Sequence, residues 1–252
     1  MTGELGTVIQ LWRYPASSLA GERLGAISVG LKTVDGDRLF GLVDAEGEIA
    51  RPDREARWHK VPLIRTRLSE APVSKEWRLE VAVPGGAWLP APDPECDRAL
   101  SGCLGFEASI RPFGAENAAP SYAGPRAEAR YAKAPIHLLT TASLSRLKAL
   151  HPEGTPDPRR FRPNIVVDMD PVEGAFPETE WIGRKLAVGD LLLTVSEPCR
   201  RCGFTIIAQD GFDNDPGILR NVVRHNAHNL GVYCTVDRPA RVAIGAPMRF
   251  VD

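Results

Sequence analysis

The chain has 252 residues and a net charge of −1 at pH 7, and this near-neutral balance does not favour binding to nucleic acid or to a membrane surface. No apolar run approaches the ~20 residues that span a bilayer. The N-terminus lacks a secretory signal, and five cysteines, two of them in a C-x-x-C, fit reduced thiols better than a disulfide framework. We therefore expect a cytoplasmic globular protein.

Short strands separated by turns are predicted throughout the first half of the chain. Trp77–Val83 alternates strictly between apolar and polar residues, which is typical of a strand with one buried face. Asp93 and Pro94 predict an N-cap and first helical position, with a short helix to about Gly102. The other predicted strands are Thr7–Tyr14, Leu24–Val29, Arg38–Val43 and Phe106–Ile110. Their close spacing predicts a barrel-like β domain.

The second half of the chain is predicted to follow a linker between Pro112 and Pro135, a stretch without convincing periodicity. Thr141 or Ser143 is expected to cap a helix ending at Leu150, and Asp215 a helix running to roughly Asn229. The predicted strands are Ile136–Leu139, Phe161–Asp168, Asp190–Val195, Gly231–Val236 and Arg241–Val251.

The most unusual stretch is Glu197-Pro-Cys-Arg-Arg-Cys-Gly-Phe-Thr-Ile-Ile207. Arginines beside a cysteine favour the thiolate, which is the reactive and metal-binding form. Gly203 would allow a bulky group to approach the backbone beside Cys202. The β-branched residues Thr205–Ile207 predict a strand after the motif. A surface loop with incidental cysteines is the alternative interpretation.

Other chemistries fit the sequence less well. A zinc site from the C-x-x-C with His225 and His228 has unsuitable spacing. A thioredoxin-like site needs a helix directly after the C-x-x-C. His137 lies in an apolar strand and is expected to be a satisfied core histidine. The remaining cysteines are expected to be small hydrophobic residues: Cys96, Cys103 and Cys234.

Several motifs, taken in order, resemble the MOSC domain, which is shared by molybdenum-cofactor sulfurases and amidoxime-reducing component proteins. They are Pro135–Leu144, Arg160–Val167, Trp181–Gly183 with Val188–Asp190, Pro198–Cys202, Asn229–Tyr233 and Ile244–Gly245. Tyr14–Ser18, Gly36–Arg38 and Leu42–Asp44 resemble the β-barrel domain that precedes MOSC in this family. The resemblance implies a mainly β (α+β) fold with a few short helices, divided into an N-terminal β-barrel-like domain (1–112) and a MOSC β-barrel domain (113–252).

The resemblance also implies a molybdenum cofactor, Mo-pyranopterin, with Cys202 as the metal ligand and catalytic residue. The matching cofactor-binding positions are Ser17, Ser18, Arg38, Ser143, Arg162 and Asn164. Arginine suits the pterin phosphate because its planar fork binds oxygens in pairs. The family is further associated with pyridoxal phosphate.

Two departures from the family pattern affect the expected site. Ser17 stands where relatives carry a lysine, so a cation is missing there and weaker cofactor retention is expected; Arg13 could replace it. Relatives also carry a Thr-Thr-x-Asp run, where this chain has Thr205-Ile-Ile-Ala-Gln-Asp210.

The expected activity is reduction of an N-hydroxylated compound or N-oxide. The chain ends at Asp252 without the ferredoxin-like domain fused to some relatives. The expected electron donor is therefore a separate ferredoxin-, flavin- or cytochrome-type protein. A persulfide-carrying sulfur-transfer protein and a non-catalytic cofactor-binding module are the alternatives.

Overall fold

The computed structural model describes residues 3–70, 76–114, 122–129 and 135–251, apart from the side chain of residue 70. The described strands are β1 (Glu4–Arg13), β2 (Glu22–Leu24), β3 (Ala26–Val29), β4 (Phe40–Asp44), β5 (Arg65–Glu70), β6 (Trp77–Ala82), β7 (Leu89–Ala91), β8 (Ala108–Pro112), β9 (Ile136–Thr140), β10 (Ile165–Asp168), β11 (Lys185–Val188), β12 (Leu191–Arg200), β13 (Asn229–Arg238), β14 (Ala240–Ala243) and β15 (Pro247–Val251). The helices are α1 (Pro94–Leu104), α2 (Thr141–Leu150) and α3 (Pro216–Asn226). The described ranges therefore contain more residues in strands than in helices, as the sequence predicted.

Seven of the described strands close into a barrel in the order β1-β10-β9-β13-β12-β11-β15, with β15 returning to β1. Only β9 and β10 run parallel among these described pairs. The interior is apolar, and Val8, Leu138, Val167 and Leu193 are fully buried in it. Because the barrel is closed, β1 is paired with β10 along one edge and with β15 along the other. The sequence prediction of a mainly β fold with a few short helices is confirmed.

The first strand of the chain lies in the barrel of the second half, since Thr7 pairs with Asp168 on one side and with Pro247 on the other. Strand β2 pairs with β1, while β4 and β8 form a pair and β5, β6 and β7 a sheet around a second core that contains Trp58 and Leu100. Strands β3 and β14 join the two halves. The predicted division into 1–112 and 113–252 stays a prediction.

Helix ends follow local capping chemistry. The side chains of Asp93 and Asp215 accept hydrogen bonds from the backbone N–H groups of Glu95 and Gly217, so both predicted N-caps are confirmed. Helix α2 is capped by Thr140, whose side chain accepts from Ser143 N, and not by Thr141 or Ser143 as predicted. Helix α3 ends at Asn226 because the backbone turns left-handed after it.

The predicted strand at Thr205–Ile207 is wrong, since Gly203–Ile206 is a 3₁₀ helix. Thr205 donates from both its backbone N and its Oγ1 to the carbonyl of Cys202, at 3.2 and 3.0 Å. Such side-chain-to-backbone bonds compete with strand pairing. Parts of the predicted linker, 115–121 and 130–134, lie outside the described residues. Within the described ranges, no helix is long and apolar enough to cross a bilayer.

Candidate functional site

Two of the predicted cofactor-binding arginines meet at one tyrosine ring. The guanidinium carbons of Arg162 and Arg38 lie 4.1 and 5.5 Å from the centroid of the Tyr14 ring. Tyr14 is only 2% exposed, and its ring lies so close to Gly21 that a Cβ there would come within 2.5 Å. Arg38 forms an ion pair with the buried Asp37, which also accepts from Tyr14 N.

Arg162 has no such carboxylate partner among the described residues. Its guanidinium donates only to the backbone carbonyls of Leu19 and Ala16. Burial and the neighbouring Arg38 charge lower the pKa of Arg162 to about 10, so it remains a cation at neutral pH. The two arginines contact the same ring and have only one carboxylate partner, Asp37, among the described residues. Their excess positive charge is suited to binding an anion.

The backbone at these positions is unusual. Ser18, Arg38 and Arg162 have φ values of 68°, 52° and 55°, in the left-handed region that non-glycine residues rarely adopt. All three are predicted cofactor-binding residues. Such conformations cost ~1–3 kcal/mol each and concentrate at ligand sites. The surrounding structure therefore maintains an arrangement that local preferences oppose.

Arg201 connects the cysteine motif to this pair of arginines. Its Nη2 donates to the carbonyl of Phe161, directly before Arg162, at 2.7 Å. Its Nη1 lies 2.6 Å from the sulfur of the buried Cys199. The Tyr233 hydroxyl also hydrogen-bonds to Cys199, and burial raises the Tyr233 pKa. We call Arg38, Arg162, Arg201 and Tyr14 the arginine cluster.

Cys202 differs from Cys199 because its side chain is exposed. Its backbone is extended, and the 3₁₀ turn that follows places Phe204 5.5 Å from the guanidinium of Arg162. A Cβ on Gly203 would lie 2.9 Å from the carbonyl oxygen of Asp53. The bulky group expected to approach Gly203 is therefore the backbone of the first half of the chain. Cys202 is thus an accessible thiol beside the junction of the two halves.

Three polar atoms in or beside the arginine cluster are buried without a hydrogen-bond partner among the described residues: His137 Nε2, Arg201 Nε and the Tyr14 hydroxyl. His137 is 1% exposed, as expected for a core residue, but it is not satisfied. Burial and the charges of Arg201 and Arg38 lower the pKa of His137 to about 3, so its ring is neutral. Buried polar atoms are rarely left unpaired, and here they indicate room for a ligand.

Other predicted site residues are engaged by the protein. Ser143 donates to the buried Glu178, which also accepts from Thr140 N and Thr140 Oγ1 at 2.6 and 2.8 Å; we call these three residues the glutamate cluster. Asn164 accepts from His137 N and donates to the carbonyl of Trp12, at 3.2 and 3.4 Å.

Ser17 and Ser18 lie in the loop that includes Ala16, whose carbonyl Arg162 contacts, and both are partly buried. Ser17 N donates to the carbonyl of Phe40 at 2.9 Å. Arg13 is not placed to replace the missing lysine. Its Nε pairs with Glu22 at 2.8 Å and its Nη2 donates to the carbonyl of Leu68 at 2.6 Å.

Sequence reasoning did not identify Tyr14, His137 or Tyr233 as part of the site. Tyr14 had a signal, since it begins the Tyr14–Ser18 loop motif, whereas Tyr233 reaches Cys199 only through the pairing of β12 with β13. Cys96 and Cys234 are buried, as predicted, and burial raises the pKa of each to about 12.

The donor set fits a molybdenum cofactor. Soft sulfur ligands suit a thiophilic metal, and Cys202 offers an accessible cysteine side chain. The arginine cluster offers cations for a phosphate, and the unpaired His137 Nε2 and Arg201 Nε offer polar atoms for a heterocycle. Among the described residues no group of three His, Cys, Asp or Glu side chains could hold a metal alone.

The fold and site together define a closed β-barrel protein with a cluster of arginines beside a C-x-x-C. A family model for the MOSC domain matches residues 117–249, more than half of the chain. The chain therefore belongs to the MOSC domain family, which includes proteins associated with the molybdenum cofactor.

The chain also matches solved structures at low sequence identity. The YuaD protein from Bacillus subtilis has a TM-score of 0.48 and 14% identity, covering 99% of this chain and 98% of that one. YiiM from Geobacillus stearothermophilus and from Escherichia coli give TM-scores of 0.35 and 0.32, with 17% and 18% identity. Each covers 46% of this chain and 54% of the YiiM chain. No curated protein sequence matches the chain.

Proposed function

We propose that this chain is a molybdenum-cofactor-binding oxidoreductase that reduces N-hydroxylated compounds or N-oxides. The observation that carries the proposal is the arginine cluster beside Cys202. Among the described residues its three guanidinium groups meet one carboxylate, Asp37, and one of their nitrogens is buried without a partner. A ligand that joins a phosphate to a polar heterocycle would supply the missing charge and hydrogen bonds.

In this proposal Cys202 holds the metal, and Arg38 and Arg162 hold the phosphate. Ser17, Ser18, Ser143 and Asn164 are the further proposed cofactor-binding residues. When bound, the cofactor supplies two-electron oxygen-atom transfer, so that a hydroxylamine, two electrons and two protons give an amine and water. The electrons would come from a separate ferredoxin-, flavin- or cytochrome-type protein. Pyridoxal phosphate binding stays a prediction.

The chain's own residues would position the Cys202 ligand and the cation that holds the phosphate. Thr205 fixes the turn after Cys202 through two hydrogen bonds to the Cys202 carbonyl. The Phe204 ring lies 5.5 Å from the Arg162 guanidinium, and an apolar neighbour strengthens the attraction between that cation and an anion. His137 is neutral, so its Nε2 is available as a hydrogen-bond partner and not as a competing cation.

The test is elemental analysis together with turnover. The protein is purified from a host that makes the cofactor, and molybdenum per chain is measured. It is then supplied with a chemical electron donor and an N-hydroxylated compound or N-oxide. The proposal expects bound molybdenum and substrate-dependent oxidation of the donor. Protein without molybdenum, or with molybdenum and no turnover on any N-oxygenated compound, would contradict it.

A sulfur-carrier function is the second candidate, and the exposure of Cys202 favours it. An exposed thiol is accessible to a desulfurase, which would transfer the outer sulfur of a persulfide to Cys202. Mass spectrometry of the Cys202 peptide after incubation with a desulfurase and cysteine separates the two candidates. A cyanide-labile persulfide without molybdenum or turnover would favour sulfur transfer.

A further inference from the structure

We propose that a cavity beside Tyr14, lined by Gln209, is an oxyanion-binding site. It has a volume of about 170 Å³ and lies between the two halves of the chain, with Leu63 from the first half and Arg162 from the second among its lining residues. It takes a phosphate, a carboxylate or a similar oxyanion group of a small molecule. The cavity shares Tyr14 and Arg162 with the arginine cluster, but the inference concerns an anion separate from the cofactor and does not require molybdenum to be bound.

Two buried donors with no partner face this cavity. Gln209 Nε2 and the Tyr14 hydroxyl both line it, and neither has a hydrogen-bond partner among the described residues. The two residues are 8% and 2% exposed. An amide N–H and a phenolic O–H that are removed from water cost free energy unless they are paired. Both groups can donate to an anionic oxygen, and burial raises the Tyr14 pKa, which keeps its proton in place.

The charge of the lining favours an anion. Arg65, Arg159 and Arg162 line the cavity, against one acidic residue, Asp210. Arg159 forms two hydrogen bonds to Asp157 at 2.8 Å and donates to the backbone carbonyl of Asp210. Arg162 and Arg65 make no ion pair with a described residue. These two unpaired cations, together with the two unpaired donors, form a site that a phosphate group would satisfy.

Strand β5 supplies a matched pair of arginines for the test. Arg65 and Arg67 both stack on Trp88, with guanidinium carbons 5.2 and 4.5 Å from its ring. Only Arg65 lines the cavity, whereas Arg67 is paired with Glu80 at 2.7 Å. Both are exposed, so replacing either with glutamine removes one positive charge without disturbing the core.

The experiment measures binding of inorganic phosphate by calorimetry to the wild type and to Arg65→Gln, Tyr14→Phe and Arg67→Gln. Arg65→Gln and Tyr14→Phe should each weaken phosphate binding about tenfold, because each removes one donor to a charged group. Arg67→Gln should leave binding within about twofold, as expected for an exposed pair outside the site. The melting temperature without phosphate shows whether Tyr14→Phe still folds. Arg65→Gln tests the cavity at an exposed residue, where the substitution does not threaten folding.

The source of the anion is distinguished by using protein made with and without the molybdenum cofactor. If both forms bind phosphate, the cavity receives a separate anionic molecule. If only the cofactor-free form binds it, the cavity is the phosphate site of the cofactor itself and the proposal of a separate anion is wrong. If neither form binds phosphate at millimolar concentration, or if all three variants bind like the wild type, the proposal is wrong. Failure of the reductase assay alone would leave these results unchanged.

Discussion

The glutamate cluster and the arginine cluster both bring polar side chains into the protein, but only the first is internally satisfied. Glu178 is 1% exposed and its carboxylate accepts from Thr140 N, Thr140 Oγ1 and Ser143 Oγ. Both partner residues, Thr140 and Ser143, lie at the start of helix α2. A buried carboxyl with three donors stabilises local structure and has no need of a ligand.

The arginine cluster has the opposite character. Its cations exceed its carboxylates among the described residues, and Ser18, Arg38 and Arg162 hold left-handed backbone conformations around it. Strain and unpaired donors in one place indicate a site formed for something outside the chain. The comparison teaches that a buried polar residue indicates a ligand only when its partners within the protein are incomplete. The Ser143 hydroxyl, which donates to Glu178, already has a partner within the protein and by this criterion does not indicate a ligand.

The largest expected effect concerns the two thiols beside the arginine cluster. Cys202→Ser should lower bound molybdenum and turnover by at least ~100-fold, more than the loss of an outer-shell partner costs. Cys199→Ser should retain most of both, because a hydroxyl can still accept from Arg201 and pair with Tyr233. Molybdenum per chain and reductase rate are measured for both variants. The reverse result would identify Cys199, and not Cys202, as the metal ligand.

The next effect comes from restoring the missing loop cation with Ser17→Lys. A charge-assisted contact to phosphate is worth roughly 1.5–3 kcal/mol, so retention of the cofactor should improve by about one to two decades. Molybdenum remaining after extended dialysis is the measurement. Ser28→Lys, at an exposed position on β3, adds the same charge away from the site and should change nothing. Equal retention in the two variants would show that residue 17 does not contact the phosphate.

A smaller effect tests the glutamate cluster through pH. Burial raises the pKa of Glu178, so the folded protein binds this proton more tightly than the unfolded chain does. The free energy of unfolding should therefore decrease as pH rises above about 4.3, with a slope of at most ~1.4 kcal/mol per pH unit, until the folded carboxyl is ionised. Glu178→Gln should remove this decrease, as measured by urea unfolding across a pH series.

The control for that measurement is Glu80→Gln. In the wild type, the hydrogen bond from Arg67 lowers the pKa of Glu80. Glu80 therefore contributes stability that is lost as pH falls and not as pH rises. The two variants should therefore change the pH profile in opposite directions. Profiles of the wild type and Glu178→Gln that run parallel would show that the Glu178 carboxyl is not perturbed by burial.

The smallest effect measures the strain in the arginine cluster. Arg162→Ala and Arg162→Gly remove the same guanidinium, and both should lose molybdenum. The glycine variant should nevertheless be more stable by about 1 kcal/mol, because only glycine adopts a φ of 55° without steric cost. Arg67 lies in strand β5 without a positive φ, so there the alanine variant, Arg67→Ala, should be more stable than Arg67→Gly. Urea unfolding of the four variants provides the comparison; equal stability of the Arg162 pair would show that the position is unstrained.

The sequence by itself determined features that depend on neighbouring residues. The caps at Asp93 and Asp215, most of the strand positions and the mainly β fold followed from periodicity and turn residues. The ordered motifs also identified the MOSC family. The error at Thr205–Ile207 arose because a threonine can bond to a nearby carbonyl in place of pairing in a sheet.

Only the tertiary structure decided how the site is assembled, since its contacts join distant parts of the chain. Arg162 donates to the carbonyl of Leu19, 143 residues away in sequence, and Asn164 to that of Trp12, 152 residues away. Nothing local in the sequence indicates that Cys199 is buried against Arg201 while Cys202 is exposed. Burial and charge pairing are properties of the packed barrel, and they separate the satisfied glutamate cluster from the unsatisfied arginine cluster.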